Sequence, residues 1–234
     1  MRNEASFTGI FGELSSLLTD AWREAALYTL VIGGVAAIGL LAGVTEPATE
    51  TFDFGFNLNS SDDPAGSLFE LAVAIATLVA TYFLLKRYLA VKGRLQGDGN
   101  RFWPYFGMAL LSGLGIAFGI VLLIVPGLIL LVRWSAASGY VIGAGQGVTD
   151  SLTSSWNATK GHGWAIFFAG LALYVGSIMV AGLIGGILGV ASLSAVNTII
   201  PFSEAATNSV FSAFGIAVYC LVHDDTEQLS EVFA

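Results

Sequence analysis

The chain has 234 residues, 55% of them hydrophobic and only 11% charged, with a mean hydropathy of +0.77 and a net charge of -8. A soluble domain carries about 25% charged residues, so there is too little polar surface here to cover a water-facing globule, and lipid must be part of the solvent. The negative balance excludes a nucleic-acid surface, which needs clustered basic groups to displace counterions. The single cysteine, Cys220 in an apolar run, excludes an intrachain disulfide framework or a cysteine-built zinc cluster.

The first 24 residues hold Arg2, Glu4, Glu13, Asp20, Arg23 and Glu24. These charges break the basic-then-apolar pattern of a cleavable signal peptide, so insertion is expected to depend on the first span. Within this segment Phe7, Ile10, Phe11, Leu14, Leu17, Leu18, Ala21 and Trp22 recur at intervals of three and four. Such a pattern makes one apolar stripe on a helix. Two placements are open: an amphipathic interfacial helix on the inner leaflet, or a helix packed on the bundle's own cytoplasmic face.

About 20 apolar residues cross the hydrocarbon core. Runs of that kind predict six spans, at about 25–44, 66–89, 105–125, 128–145, 164–190 and 204–222, with 223–234 as an acidic cytoplasmic tail. Pro126-Gly127, a turn dipeptide, divides the third run from the fourth. The expected architecture is therefore all-α, a single integral membrane domain of six helices in three hairpins with cytoplasmic amphipathic helices.

Basic residues set the expected orientation. Lys86, Arg87, Lys92, Arg94 and Arg101 fall between the second and third spans, Arg2 and Arg23 before the first, and Lys160 before the fifth. Eight of the nine basic residues thus share one side, the ninth being Arg133 within a span. The segment from Thr45 to Ala65 carries only acids, Glu46, Glu50, Asp53, Asp62 and Asp63. Both termini are expected in the cytoplasm. Trp22, Trp103 and Trp164 introduce the hairpins from that side, as interfacial anchors whose indoles favour the headgroup level. Trp156 closes a second candidate interfacial segment, Ser151-Leu152-Thr153-Ser154-Ser155-Trp156, which parallels Ser16 to Trp22 and suggests an internal repeat.

The most distinctive stretch is Ile124-Val125-Pro126-Gly127, then Val132-Arg133-Trp134-Ser135, then Ser151 through Gly161, then Trp164. It resembles the bacterial glycerophosphoryl diester phosphodiesterase membrane-domain-like proteins and the related YciC-type proteins, whose function is largely uncharacterised. The resemblance covers about a fifth of the chain by motif. It implies a six-span bundle in the bacterial inner membrane. The pattern departs at Gly139, where the family usually has proline, and at Ala144, where it has glutamate, so no role of that glutamate carries over. The soluble catalytic barrel of fused relatives is absent from this sequence, and the resemblance does not imply an enzyme.

Arg133 is the first candidate for chemistry. It lies roughly 10 Å down a helix from the Pro126-Gly127 turn, at about 1.5 Å per residue. A guanidinium at such depth costs some ~2.5–3.5 kcal/mol unless paired or wetted. Glu70, near the outer end of the second span, and Glu204, opening the sixth after Pro201 and the cap-like Ser203, are the acids expected in the same leaflet. Arg133, Glu70 and Glu204 form the candidate intramembrane polar cluster, open to a functional reading or to a structural ion pair. Glycines at small-xxx-small spacing (Gly115/Gly119, Gly139/Gly143, Gly182/Gly186, Gly185/Gly189) suit close intramolecular packing or, secondly, a homo-oligomer. Asn197 and Asn208 are read as helix–helix hydrogen bonds or as lining a polar path.

His162 and His223 have no second ligand at metal spacing, and no metal site or cofactor is expected. Neither a metalloprotease helix nor a phosphate loop nor a nucleophile elbow occurs. The sequence therefore points to a non-enzymatic structural, accessory or sensing protein with membrane lipids as partners. A transporter or channel for a small solute or lipid, using Arg133, is the other reading.

Overall fold

The structure of the chain, a computed structural model, describes residues 5–44, 64–96, 99–191 and 193–232, without the side chains of 65, 188–197 and 224–232. The acids of the segment 45–63, Arg2, and the side chains of Asn197 and of the acidic tail lie outside the described residues. Every described regular element is an α-helix. They run α1 Phe7–Asp20, α2 Trp22–Leu41, α3 Pro64–Val91, α4 Phe102–Leu122, α5 Ile124–Arg133, α6 Ala137–Ile142, α7 Val148–Ala158, α8 Gly163–Ala191 and α9 Leu193–Val232. Among the described residues, six stretches are long and apolar enough to cross a membrane: Trp22–Leu41, Gly66–Val91, Phe102–Leu122, Ile124–Ile142, Gly163–Ile187 and Thr198–His223.

The chain forms two compact units. The first gathers Met1–Trp22, Tyr82–Tyr174 and Val210–Ala234; the second gathers Arg23–Thr81 and Val175–Ser209. In the first unit, the apolar stripe of α1 is covered: Ile10, Leu14, Leu17 and Ala21 are buried. An ion pair fixes the other side of that helix, with Lys92 Nζ 2.9 Å from Glu13 and 3.7 Å from Asp20, and donating to Ser16 Oγ at 3.0 Å. The helix is N-capped by the Ser6 hydroxyl, which accepts from the Gly9 N–H.

The last helix supplies the centre of this unit. Every residue from Ala213 to Val222 is buried, as expected of a helix apolar all round, and Cys220 is a free thiol within that run. Gly139 lets it approach α6: a Cβ there would overlap the Tyr219 ring. The Tyr140 and Tyr219 rings meet edge-on at 4.9 Å, with His223 beside both. The first two glycine pairs thus pack within the chain, with Gly115 against Trp134 and Gly119 against Gly127. Gly182, Gly185 and Gly186 face open space.

The expected turn at Pro126-Gly127 falls elsewhere. The chain reverses at Leu123, which is extended at φ -158°, ψ 129°. Pro126 sits in the first turn of α5, where a missing N–H leaves nothing unpaired, and Gly127 lies flat against α4, where a Cβ would overlap Ile120. The glycine is thus needed for backbone contact between α4 and α5. The fourth apolar run is also not one helix. It breaks at Trp134–Ala136 between α5 and α6, with the Ser135 hydroxyl donating to the Val132 carbonyl at 2.8 Å.

In the second unit small-to-large contacts and a polar knot join the helices. Phe202 lies on Gly33 and Phe69 on Gly39. Tyr28 Oη is 3.0 Å from Thr81 Oγ1 and accepts from Asn208 Nδ2 at 2.7 Å, tying α2, α3 and α9 together. Asn208 is therefore a helix–helix hydrogen bond. The sixth span does not open at Glu204: α9 runs continuously through Pro201, and the Ser203 hydroxyl donates back to the Ile200 carbonyl at 2.8 Å instead of capping a helix start.

Candidate polar site at Arg133

The site is built from the end of one helix and the face of another. α5 stops at Arg133, so the last carbonyls of that helix have no intrahelical donor. α7 supplies donors. Its buried face is a row of hydroxyls one turn apart, Ser151, Ser155 and Thr159, each fully covered. Ser155 Oγ donates to the Arg133 carbonyl at 2.7 Å, and Thr159 Oγ1 approaches the same oxygen at 3.4 Å. Thr159 also bonds the Ser155 carbonyl at 2.8 Å, and Ser151 the Val148 carbonyl at 2.8 Å. With their polar atoms satisfied, these small side chains let α7 lie close against α5 and α6.

The Arg133 side chain turns to the next residue along α7. Its guanidinium carbon stands 5.5 Å from the centre of the Trp156 ring, within range of a cation–π contact. Nη1 is buried and has no hydrogen-bond acceptor. Among the described residues of the first unit, no acid lies within ion-pair distance of Arg133. The charge is also favoured by its place in the last turn of α5, at the negative end of the helix dipole.

Glu70, half-buried on α3, and Glu204, exposed on α9, belong to the second unit. What Arg133 gains inside its own unit is Trp156, which sequence reading placed among the interfacial anchors. The other three of those anchors open their helices and are open to the surroundings, with Trp22 59%, Trp103 73% and Trp164 75% exposed. Trp156 differs from them: it is half-buried, in the last turn of α7. The spacing of hydroxyls at 151, 155 and 159 was a readable sign that one face of α7 packs closely; nothing in the sequence marked the face that meets Arg133.

A second polar locus lies where α3, α4 and the segment after α6 meet. Tyr82 Oη accepts from the Arg101 N–H at 2.9 Å, the Arg101 guanidinium donates to the Gly145 carbonyl, and the Gln96 N–H donates to the Gly143 carbonyl at 3.0 Å. Gly145 adopts φ +67°, a conformation glycine takes without strain. No group of three or more metal-ligating side chains occurs among the described residues. Compared with protein-family models, curated proteins and solved structures, the chain matches none.

Proposed function

We propose that this protein is a multi-pass component of a bacterial inner membrane, related to the glycerophosphoryl diester phosphodiesterase membrane-domain-like group, with a structural, accessory or sensing role and no catalytic one. Both termini face the cytoplasm, because Arg23, Lys86, Arg87, Lys92, Arg94, Arg101 and Lys160 all border the same ends of the spans. In this frame α1 and α7 are cytoplasmic-side helices. α1 is joined to the basic connection after α3 through Lys92.

The observation that carries this reading is that the intramembrane cation is engaged by the protein. Arg133 sits over Trp156, and its own carbonyl is closed by Ser155. The polar knot of Tyr28, Thr81 and Asn208 likewise joins helices. A second reading, a transporter or a lipid-binding protein, is favoured by one atom: the buried Nη1 of Arg133 lacks an acceptor that an anionic headgroup or solute would provide.

Mass spectrometry of lipids retained by the purified protein, beside the Arg133→Lys and Arg133→Met variants, separates the two. The structural role predicts the same lipid profile in all three. Selective loss of an anionic lipid or solute from a folded Arg133→Met variant overturns it in favour of the second reading.

A further inference from the structure

The chain itself employs two of the basic residues between α3 and α4. Lys92 is neutralised by Glu13 and Asp20 of α1, and the Arg101 guanidinium is spent on the Gly145 carbonyl. Lys86 and Arg87 differ. Neither has a hydrogen-bond or ion-pair partner among the described residues. At 3.6 residues per turn, Phe83, Lys86, Arg87 and Val91 share one side of α3, while Leu84, Leu85, Tyr88 and Leu89 on the other side are buried. Lys86 is half-buried and Arg87 exposed.

The pair lies inside the apolar stretch, not beyond it. Gly66–Val91 has 26 residues and rises about 39 Å at roughly 1.5 Å per residue. The hydrocarbon core is only about 30 Å thick. With Gly66 at one edge of that core, Lys86 stands about 30 Å along, where lipid phosphates begin. Beside the two cations runs an aromatic surface. The Tyr82 ring lies 5.5 Å from Phe83 and 5.6 Å from Phe102, and Phe102 continues to Trp103 at 5.6 Å. The Tyr82 hydroxyl, accepting the Arg101 N–H at 2.9 Å, holds the start of α4 at this level. Phe83, at 59%, and Trp103 are exposed. Lys86 and Arg87 follow Tyr82 and Phe83 by four residues, so each cation stands one helical turn from a ring.

We propose that Lys86 and Arg87 hold the phosphate of an anionic phospholipid in the cytoplasmic leaflet, with an acyl chain of that lipid against Phe83 and Trp103. The Arg87 fork suits two phosphate oxygens and Lys86 adds a point charge. The rings give the chain below the headgroup an apolar wall. A soluble anion would leave the rings bare, and a lipid without net charge would leave the cations uncompensated. The chain as a whole carries a net charge of -8, so attraction of an anionic lipid has to be local. The site rests on the multi-pass reading above and makes no use of Arg133.

The test is native mass spectrometry of the full chain in a neutral detergent, titrated with dioleoyl phosphatidylglycerol or dioleoyl phosphatidylcholine. The expected result is a first phosphatidylglycerol bound severalfold more tightly than phosphatidylcholine. A cation near the membrane surface is worth about fivefold in binding. Lys86→Gln and Arg87→Gln should each weaken the anionic lipid by about that factor, and the double variant by about 25-fold. Either single variant suffices if the other misfolds. Lys160→Gln removes an exposed charge from the same side and should change nothing. Equal affinity for the two lipids overturns the proposal, as does an equal loss in Lys160→Gln, which would mean general charge attraction. Displacement of the lipid by millimolar glycerol phosphate also overturns it, in favour of a soluble phosphate. Extraction of the protein from membranes by alkaline carbonate would instead defeat the multi-pass reading itself.

Discussion

Replacing Trp156 by leucine isolates the contact that holds the Arg133 charge. The indole face is the partner of a guanidinium whose Nη1 has no acceptor. A desolvated cation–π contact is worth about 2 kcal/mol and an exposed one about 0.5–1 kcal/mol. Without the ring, the guanidinium falls back toward the full cost of an unpaired cation in the membrane, some ~2.5–3.5 kcal/mol. Trp156→Leu is therefore expected to destabilise by about 2 kcal/mol. Arg133→Met removes the charge and its desolvation cost together, while the backbone carbonyl keeps its bond from Ser155. That variant should stay within about 1 kcal/mol of the parent, as replacements of buried charges by apolar isosteres often do. In the Arg133→Met background Trp156→Leu should cost less than about 1 kcal/mol, since only packing is lost. The cycle thus predicts a coupling of about 1–2 kcal/mol, read from reversible unfolding in mixed detergent micelles. Additive single effects, or an Arg133→Met variant weakened by more than Trp156→Leu, would refute the reasoning.

Tyr28→Phe removes the oxygen shared by Thr81 and Asn208. At an average of about 0.6 kcal/mol per hydrogen bond inside a membrane, the loss should be about 1 kcal/mol in the same unfolding assay, with Thr81→Val giving less. Gly127→Val drives a side chain into Ile120, and overpacking of about 1–3 kcal/mol should lower the melting temperature, whereas Gly182→Val, facing open space, should leave it nearly unchanged. Leu17→Ala empties a fully buried position and should cost about 2–5 kcal/mol; Phe7→Ala, 43% exposed, should cost far less, and equal effects would mean that α1 lies on lipid instead of protein. Lys92→Met breaks the pairs with Glu13 and Asp20, and hydrogen exchange in α1 should quicken while the amides of Ala213–Val222 keep their protection.

How far the sequence carried depended on whether a feature was local. The spans were legible because crossing lipid imposes a length of apolar chain, and the α1 stripe because helical period repeats within a few residues. The break after Arg133 was hidden: Leu128–Gly145 reads as one apolar run, and the turn at Trp134–Ala136 is stabilised by the Ser135 hydroxyl and by Trp134 lying on Gly115 of another helix. Pro126-Gly127 suggested the right region for the reversal but the wrong residue, because a proline suits a first helical turn as well as a loop. Pro201 misled in the same direction, since a proline inside an apolar helix loses one hydrogen bond without having to end the helix. Trp156 reads as an anchor from its place before the fifth span, and its contact with Arg133 is an addition to that reading. That contact depends on a residue 23 positions earlier, a separation with no local signature.

The bond from Ser155 to the Arg133 carbonyl spans 22 residues, and that interval is also a delay. Chains lengthen at about 5–20 residues per second, so the end of α5 leaves the ribosome about 1–4 s before the hydroxyl that closes it. The guanidinium waits as long for its ring. Until α7 has been made, the Arg133 charge and the carbonyl that ends α5 have neither of these partners, and water must serve in their place.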